Sequence, residues 1–239
     1  MGNLHAFREM KRFGEKLFTF SQDKAKAFQP ADGKESADFK VIKGGACLAL
    51  AVAWLDEKLH GRFQFSSSKD SQFTGRGAEA HRQNLGTLLR VAPDQYAYNT
   101  IMPDDFKLKQ LLEAKRIRVA DEAVPKPYST ETLLRHSYGG GDRGQTYDMA
   151  GSLVNVAARL KSGYGALVLM TVNNSGHAVA LYKSHGDSLY FFCANCGGYK
   201  VKDRGEFFAA WVAGYRRAND KTLDFDAGKG DLVWYVARM

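Results

Sequence analysis

Lys43-Gly44-Gly45-Ala46-Cys47 runs directly into Leu48 to Leu55, a stretch of Leu, Ala, Val and Trp without a single charge. Leu48, Ala51, Val52 and Leu55 fall at helical packing intervals, with Trp54 as a large anchor, so the spacing predicts a buried helix from Cys47 to about Leu59. The glycine turn delivers the Cys47 thiol to the first turn of that helix. There, unpaired backbone N–H groups and the helix dipole favour a thiolate, which is a nucleophile in need of a base. Read alone, Cys47 fits equally well as a small buried hydrophobe.

The base is offered 130 residues later by Gly176-His177-Ala178-Val179-Ala180-Leu181, a histidine at the head of an alternating apolar strand. A second strand, Leu189 to Cys193, follows the connection Lys183 to Asp187. Strand parity puts His177, Val179 and Leu181 on one face, and Leu189, Phe191 and Cys193 on one face of the returning strand. A hairpin joins its two ends, so the residues opposite His177 lie just beyond Phe192, in Cys193-Ala194-Asn195-Cys196-Gly197-Gly198. An acceptor here would bind the second imidazole nitrogen and aim the ring at sulfur. Asn195 has the right chemistry for that role and Cys193 is the alternative; a neutral thiol is the poorer acceptor.

These three blocks, in this order, resemble the YopT and AvrPphB family of bacterial effector cysteine proteases. The resemblance covers roughly residues 47 to 198 and extends toward the helix Glu206 to Tyr215 and the terminal strand. It implies a papain-like fold, Cys47 as nucleophile and His177 as base. It also implies delivery by a bacterium into the host cytoplasm and a protein substrate such as a host signalling GTPase or kinase. One position departs from the pattern: where the family shows Asp-Pro-Asn, this chain has Cys193-Ala194-Asn195, with Cys193 in place of the aspartate. A second departure is the oxyanion donor. Residues 41 to 46 hold neither Asn nor Gln, which leaves Lys43, or Lys40, to supply a donor beside the nucleophile's own N–H.

The rest of the chain sets the frame. Residues 1–40 read as a polar, lysine-rich leader, and 41–239 as the catalytic domain. Helical patterns near Ala78 to Arg90, Asp104 to Lys115 and Tyr147 to Leu160 precede strands at Gly165 to Val172, His177 to Tyr182, Leu189 to Cys193 and Leu232 to Ala237, with a helix from Glu206 to Arg216 before the last. Helices first and an antiparallel sheet later is an α+β layout, its helical part led by the Cys47 helix and packed on the sheet. Ser129 to Leu134 reads as a capped short helix and Gly139 to Gly144 as a loop.

Composition narrows the class of function. With 239 residues and 44% apolar content the chain can bury a sizeable core. Three cysteines, an odd number, argue against a disulfide scaffold. No apolar run is long enough to span a membrane, and the first residues carry no export-signal core. The net charge of +8 leaves contact with an anionic membrane face open, but the positives are scattered and form no nucleic-acid-binding signature. No cofactor is expected.

The expected activity is therefore a thiol endopeptidase. The alternatives are a catalytically impaired binding module on the same fold, or a glutamine deamidase or acyltransferase using the same pair. Cys193 and Cys196 form a C-x-x-C, but Asn195 and the two glycines after it favour a turn over the helix start a redox motif needs. A zinc site on Cys47, His177 and Cys193 is a further alternative.

Overall fold

The computed structural model describes residues 4–22, 37–61, 78–101, 105–119, 136–138, 149–172, 175–218 and 230–238. The alternating segments pair in one antiparallel sheet. β4 (Gly165–Val172), β5 (Ser175–Lys183) and β6 (Leu189–Cys193) run as a meander, and β7 (Gly197–Val201) continues it after a tight turn. β8 (Gly230–Arg238) lies on the other side of β4, followed by the short β2 (Arg118–Val119); β3 (His136–Tyr138) also pairs with β8. β1 (Gly14–Phe18) closes the opposite edge against β7. A mixed α+β fold with an antiparallel sheet is thus what the chain adopts.

Alternation sends each strand's side chains to two different cores. On one face Val179, Leu181, Leu189, Phe191, Cys193 and Tyr199 share a core with α6 (Met149–Arg159) and α7 (Arg204–Ala218). On the other, Leu167, Leu169, Ala178, Ala180 and Phe192 share one with α3 (Cys47–His60), α4 (Ala78–Ile101) and α5 (Asp105–Ala114). Helices therefore cover both faces, and the Cys47 helix packs on the sheet on one of them. The apolar run after Cys47 is buried almost all round, as its lack of charge requires: Leu48 to Leu55 are all buried. Gly61, in the left-handed conformation, ends that helix by returning its N–H to the Glu57 carbonyl.

Four strands were not read from the sequence: β1, β7 and the short β2 and β3. β7 begins with Gly197-Gly198, which look like turn residues, and β1 lies within the expected leader. That leader enters the sheet and the cores: Ala6, Phe7, Met10, Phe18 and Phe20 are all buried. The boundary expected at residue 40 is consequently not a boundary of the sheet. The short helix expected from Ser129 to Leu134 and the loop expected from Gly139 to Gly144 lie outside the described residues. Among the described residues no helix is long and apolar enough to cross a membrane.

Candidate active site

Three chain ends converge at one margin of the sheet: the start of α3, the head of β5 and the end of β6. α2 (Ala37–Lys43) stops at Lys43, and the Gly45 N–H closes the turn on the Ile42 carbonyl, 3.0 Å away. Gly45 has φ near 111°, a value an L side chain rarely adopts, and this turn swings the backbone into the Cys47 helix. Ala46, the residue before that helix, has no side-chain acceptor for the exposed amides. Two remote glutamines supply the acceptors instead. Gln22 Oε1 accepts from the Ala46 N–H at 3.0 Å, and Gln95 Oε1 accepts from the Ala49 N–H at 3.1 Å.

Cys47 is only partly buried, while Cys193, Cys196 and His177 are buried; all three cysteines are free thiols. His177 Nε2 lies 3.3 Å from Cys193 Sγ, and Cys47 also lies within reach of the imidazole. The Ala178 N–H points at the Cys47 sulfur as well. Tyr215 lies against the His177 ring with centroids 4.7 Å apart, and Trp211 stacks beyond it at 6.4 Å. The ring is therefore held against aromatic surface, with the Cys193 sulfur on Nε2 and Cys47 nearby.

The electrostatics follow from that arrangement. Burial alone would push the Cys47 thiol up, but the His177 hydrogen bond and charge, with the Ala178 amide, outweigh it and bring the thiol below its ordinary 9.0. Burial opposes charge on His177 too; the Cys193 thiolate on its Nε2 and the bond to Cys47 overcome this and push the imidazole up to about 10. Cys193 sits well below the ordinary thiol range. Burial is again outweighed, here by a hydrogen bond from Cys196, the imidazolium and the Asn195 N–H at 3.4 Å. Cys196 is held well above that range, by burial first and then by giving its proton to that bond. These shifts favour an imidazolium beside a Cys193 thiolate and make the Cys47 thiol easier to ionise than an ordinary one.

The structure brings Cys47, His177 and Cys193 together and sets Asn195 apart from the ring. The expected parity is right, since Val179 pairs with Cys193 and both share a face with His177. Strand pairing stops at Cys193, however, and the chain turns, so the side chain that reaches back diagonally to His177 is Cys193. Asn195 spends its amide elsewhere: Oδ1 accepts from Gln22 Nε2 at 2.9 Å and Nδ2 donates to the Tyr215 hydroxyl at 3.2 Å. In this arrangement the side chain beside the imidazole Nε2 is that of Cys193, the alternative to Asn195. Lys43 ends α2 exposed to solvent, four residues before Cys47. The C-x-x-C spans a tight turn, with the Cys196 N–H on the Cys193 carbonyl at 3.1 Å, rather than a helix start. Among the described residues no group of three or more His, Cys, Asp or Glu is arranged to hold a metal ion. Gln22 was missed from the sequence; it lies 25 residues before Cys47 and carries no local pattern.

No family model matches the sequence, and no curated protein matches it. Among solved structures it is similar to the Pseudomonas avirulence protein AvrPphB, at 15% identity and a TM-score of 0.45, over 82% of this chain and 93% of that one. It is also similar to PatoxP, a cysteine protease-like domain of the Photorhabdus asymbiotica toxin PaTox, at 10% identity and a TM-score of 0.42. That match takes in 99% of this chain and 58% of the other. Both similarities are distant, and what the site can do follows from its own side chains.

Proposed function

We propose that this chain is a papain-like thiol endopeptidase in which Cys47 is the nucleophile, His177 the acid and base, and Cys193 the acceptor that orients the imidazole. The observation that carries the reading is the His177 ring held between Cys47 and Cys193, with Nε2 3.3 Å from the Cys193 sulfur. The Cys47 thiolate attacks the peptide carbonyl carbon. The His177 imidazolium then protonates the departing amine, and the neutral imidazole takes a proton from the water that attacks the thioester, releasing acid and free thiol. Oxyanion donors are the Cys47 N–H at the helix start and, as the second, the exposed Lys43 ammonium. Because that ammonium is solvated, Lys43→Met is expected to cost less than the loss of a buried donor.

The substrate we assign is a protein of a host cell, a signalling GTPase or kinase, reached after bacterial delivery into the cytoplasm. The test is mass spectrometry after incubation with host lysate, alongside treatment with an epoxide that traps activated thiols. One adduct on Cys47 and new protein termini that vanish in Cys47→Ala and in His177→Ala, both still folded by circular dichroism, are expected. An adduct with no new termini turns the assignment to a glutamine deamidase or acyltransferase. Absence of both turns it to a binding module.

A further inference from the structure

Outside the Cys47–His177–Cys193 contacts, one buried side chain touches two of the three converging segments. Gln22 stands directly after the N-terminal strand and is almost wholly buried. Its backbone N–H donates to the Ala194 carbonyl at 2.9 Å, which seats it on the turn between β6 and β7. Its side chain then reaches the approach to Cys47: Oε1 takes the Ala46 N–H at 3.0 Å, while Nε2 donates to Asn195 Oδ1 at 2.9 Å.

The orientation of this chain of amides is forced from one end. A backbone N–H can only donate, so the atom of Gln22 facing Ala46 must be oxygen, and the NH₂ must face Asn195. Asn195 must then present its oxygen to Gln22 and its own NH₂ to the Tyr215 hydroxyl, as it does at 3.2 Å. Tyr215 is the ring lying on His177, and the Asn195 N–H is one of the donors to the Cys193 sulfur. A single amide thus ties the peptide before the nucleophile to the turn that carries its orienting thiolate.

We infer that Gln22 is a positioning residue of this centre, bridging the Ala46 peptide and Asn195 so that Cys47 and Cys193 are held at fixed places on either side of His177. The inference rests on the thiol-hydrolase reading of the site. Gln22 itself touches neither sulfur; it acts through Ala46 and Asn195. Loss of the bridge lets the nucleophile loop and the Cys193 turn drift apart, and the imidazolium then stabilises the Cys47 thiolate less well.

The test uses the whole chain and needs no substrate. The rate of alkylation by iodoacetamide is followed against pH, with the adduct located by peptide mass spectrometry, in the parent, Gln22→Met, Asn195→Ala, the double variant and His177→Ala. In the parent, Cys47 is expected to react with a midpoint below 9.0. Gln22→Met and Asn195→Ala each cut the bridge and are expected to move that midpoint upward by about one unit, a roughly tenfold loss of rate at pH 7. The double variant is expected to be no slower than the worse single, because both changes remove one connection. A parent-like midpoint in Asn195→Ala overturns the inference, and that variant decides the matter even where Gln22→Met does not fold. Additive shifts in the double variant overturn it as well. An ordinary thiol midpoint in the parent, unchanged by His177→Ala, sinks the thiol-hydrolase reading itself and this role with it.

Discussion

In the proposed centre Cys193 takes the place of a carboxylate beside the imidazolium, and it can do so only as an anion. Burial works against that anion; the Cys196 thiol, the His177 charge and the Asn195 amide outweigh it. The argument separates substitutions that resemble one another in size. Cys193→Ser offers a hydroxyl that does not ionise and is expected to lose most of kcat/KM, with Cys193→Ala losing up to ~10²- to 10⁴-fold, the range of the strong triad cases. Cys193→Asp restores an anion and is expected to keep or raise the parent value. Equal activity in the serine and aspartate variants would show that charge at this position is immaterial. The pH profile follows from the same geometry. An acid limb is expected below 9.0, set by formation of the Cys47 thiolate, and an alkaline limb near pH 10, where the His177 imidazolium loses its proton. Activity should therefore persist well above pH 6.5, the ordinary histidine value; a decline beginning there would mean that the sulfurs do not hold the imidazolium. Cys47 and His177 stand out in the sequence as candidates because each heads a strongly patterned element. The choice between Cys193 and Asn195 could not be made there, since it depends on where strand pairing stops.

At the scale of elements, periodicity revealed what was long and apolar and missed what was short and built on glycine. The Cys47 helix and β4 to β6 fall where the sequence pattern puts them, to within a residue or two. β7 was missed because Gly197-Gly198 look like punctuation, yet both glycines are needed for close approach. Gly197 has φ near 98°, and a Cβ added there would come 2.3 Å from the Phe18 carbonyl oxygen and 2.8 Å from the Phe20 nitrogen. Those atoms belong to the segment leading into Gln22, so the N-terminal strand is pressed against the turn that carries Cys193. Gly45 provides a control, since it too has a positive φ but nothing lies within 4 Å of an added Cβ. Gly45→Ala is expected to cost only backbone strain, roughly 1–3 kcal/mol. Gly197→Ala adds a backbone clash that no rotamer change relieves and is expected to cost more than Gly45→Ala. Urea unfolding at constant m-value compares the two; equal midpoints would mean that the β1–β7 contact yields easily.

For the whole molecule, the decisive feature is that the N-terminal strand β1 forms one edge of the sheet and the C-terminal strand β8 lies within it, with helices on both faces and the site at the margin where three segments end. The lysine-rich composition of residues 1–40 made them look like a solvated leader, because the few phenylalanines among them show no period. Their roles emerge only in three dimensions. Phe18 and Phe20 close on Phe192, which also stacks on Trp54 of the nucleophile helix at 5.7 Å, while Phe7 meets Tyr215 beside His177. Phe7, Met10, Phe18 and Phe20 are all nearly inaccessible to solvent. At roughly 1.5–3 kcal/mol for each buried side chain, four of them match in order of magnitude the whole stability of an ordinary domain, about 5–15 kcal/mol. Deleting residues 1–20, which keeps Gln22 but removes β1 and these side chains, is therefore expected to abolish cooperative unfolding and expose the β7 edge. A detachable leader would behave differently: the shortened chain would stay monomeric by size-exclusion chromatography, melt like the parent and retain the fast alkylation of Cys47. That outcome would mean the N-terminal strand is dispensable to both the sheet and the active site.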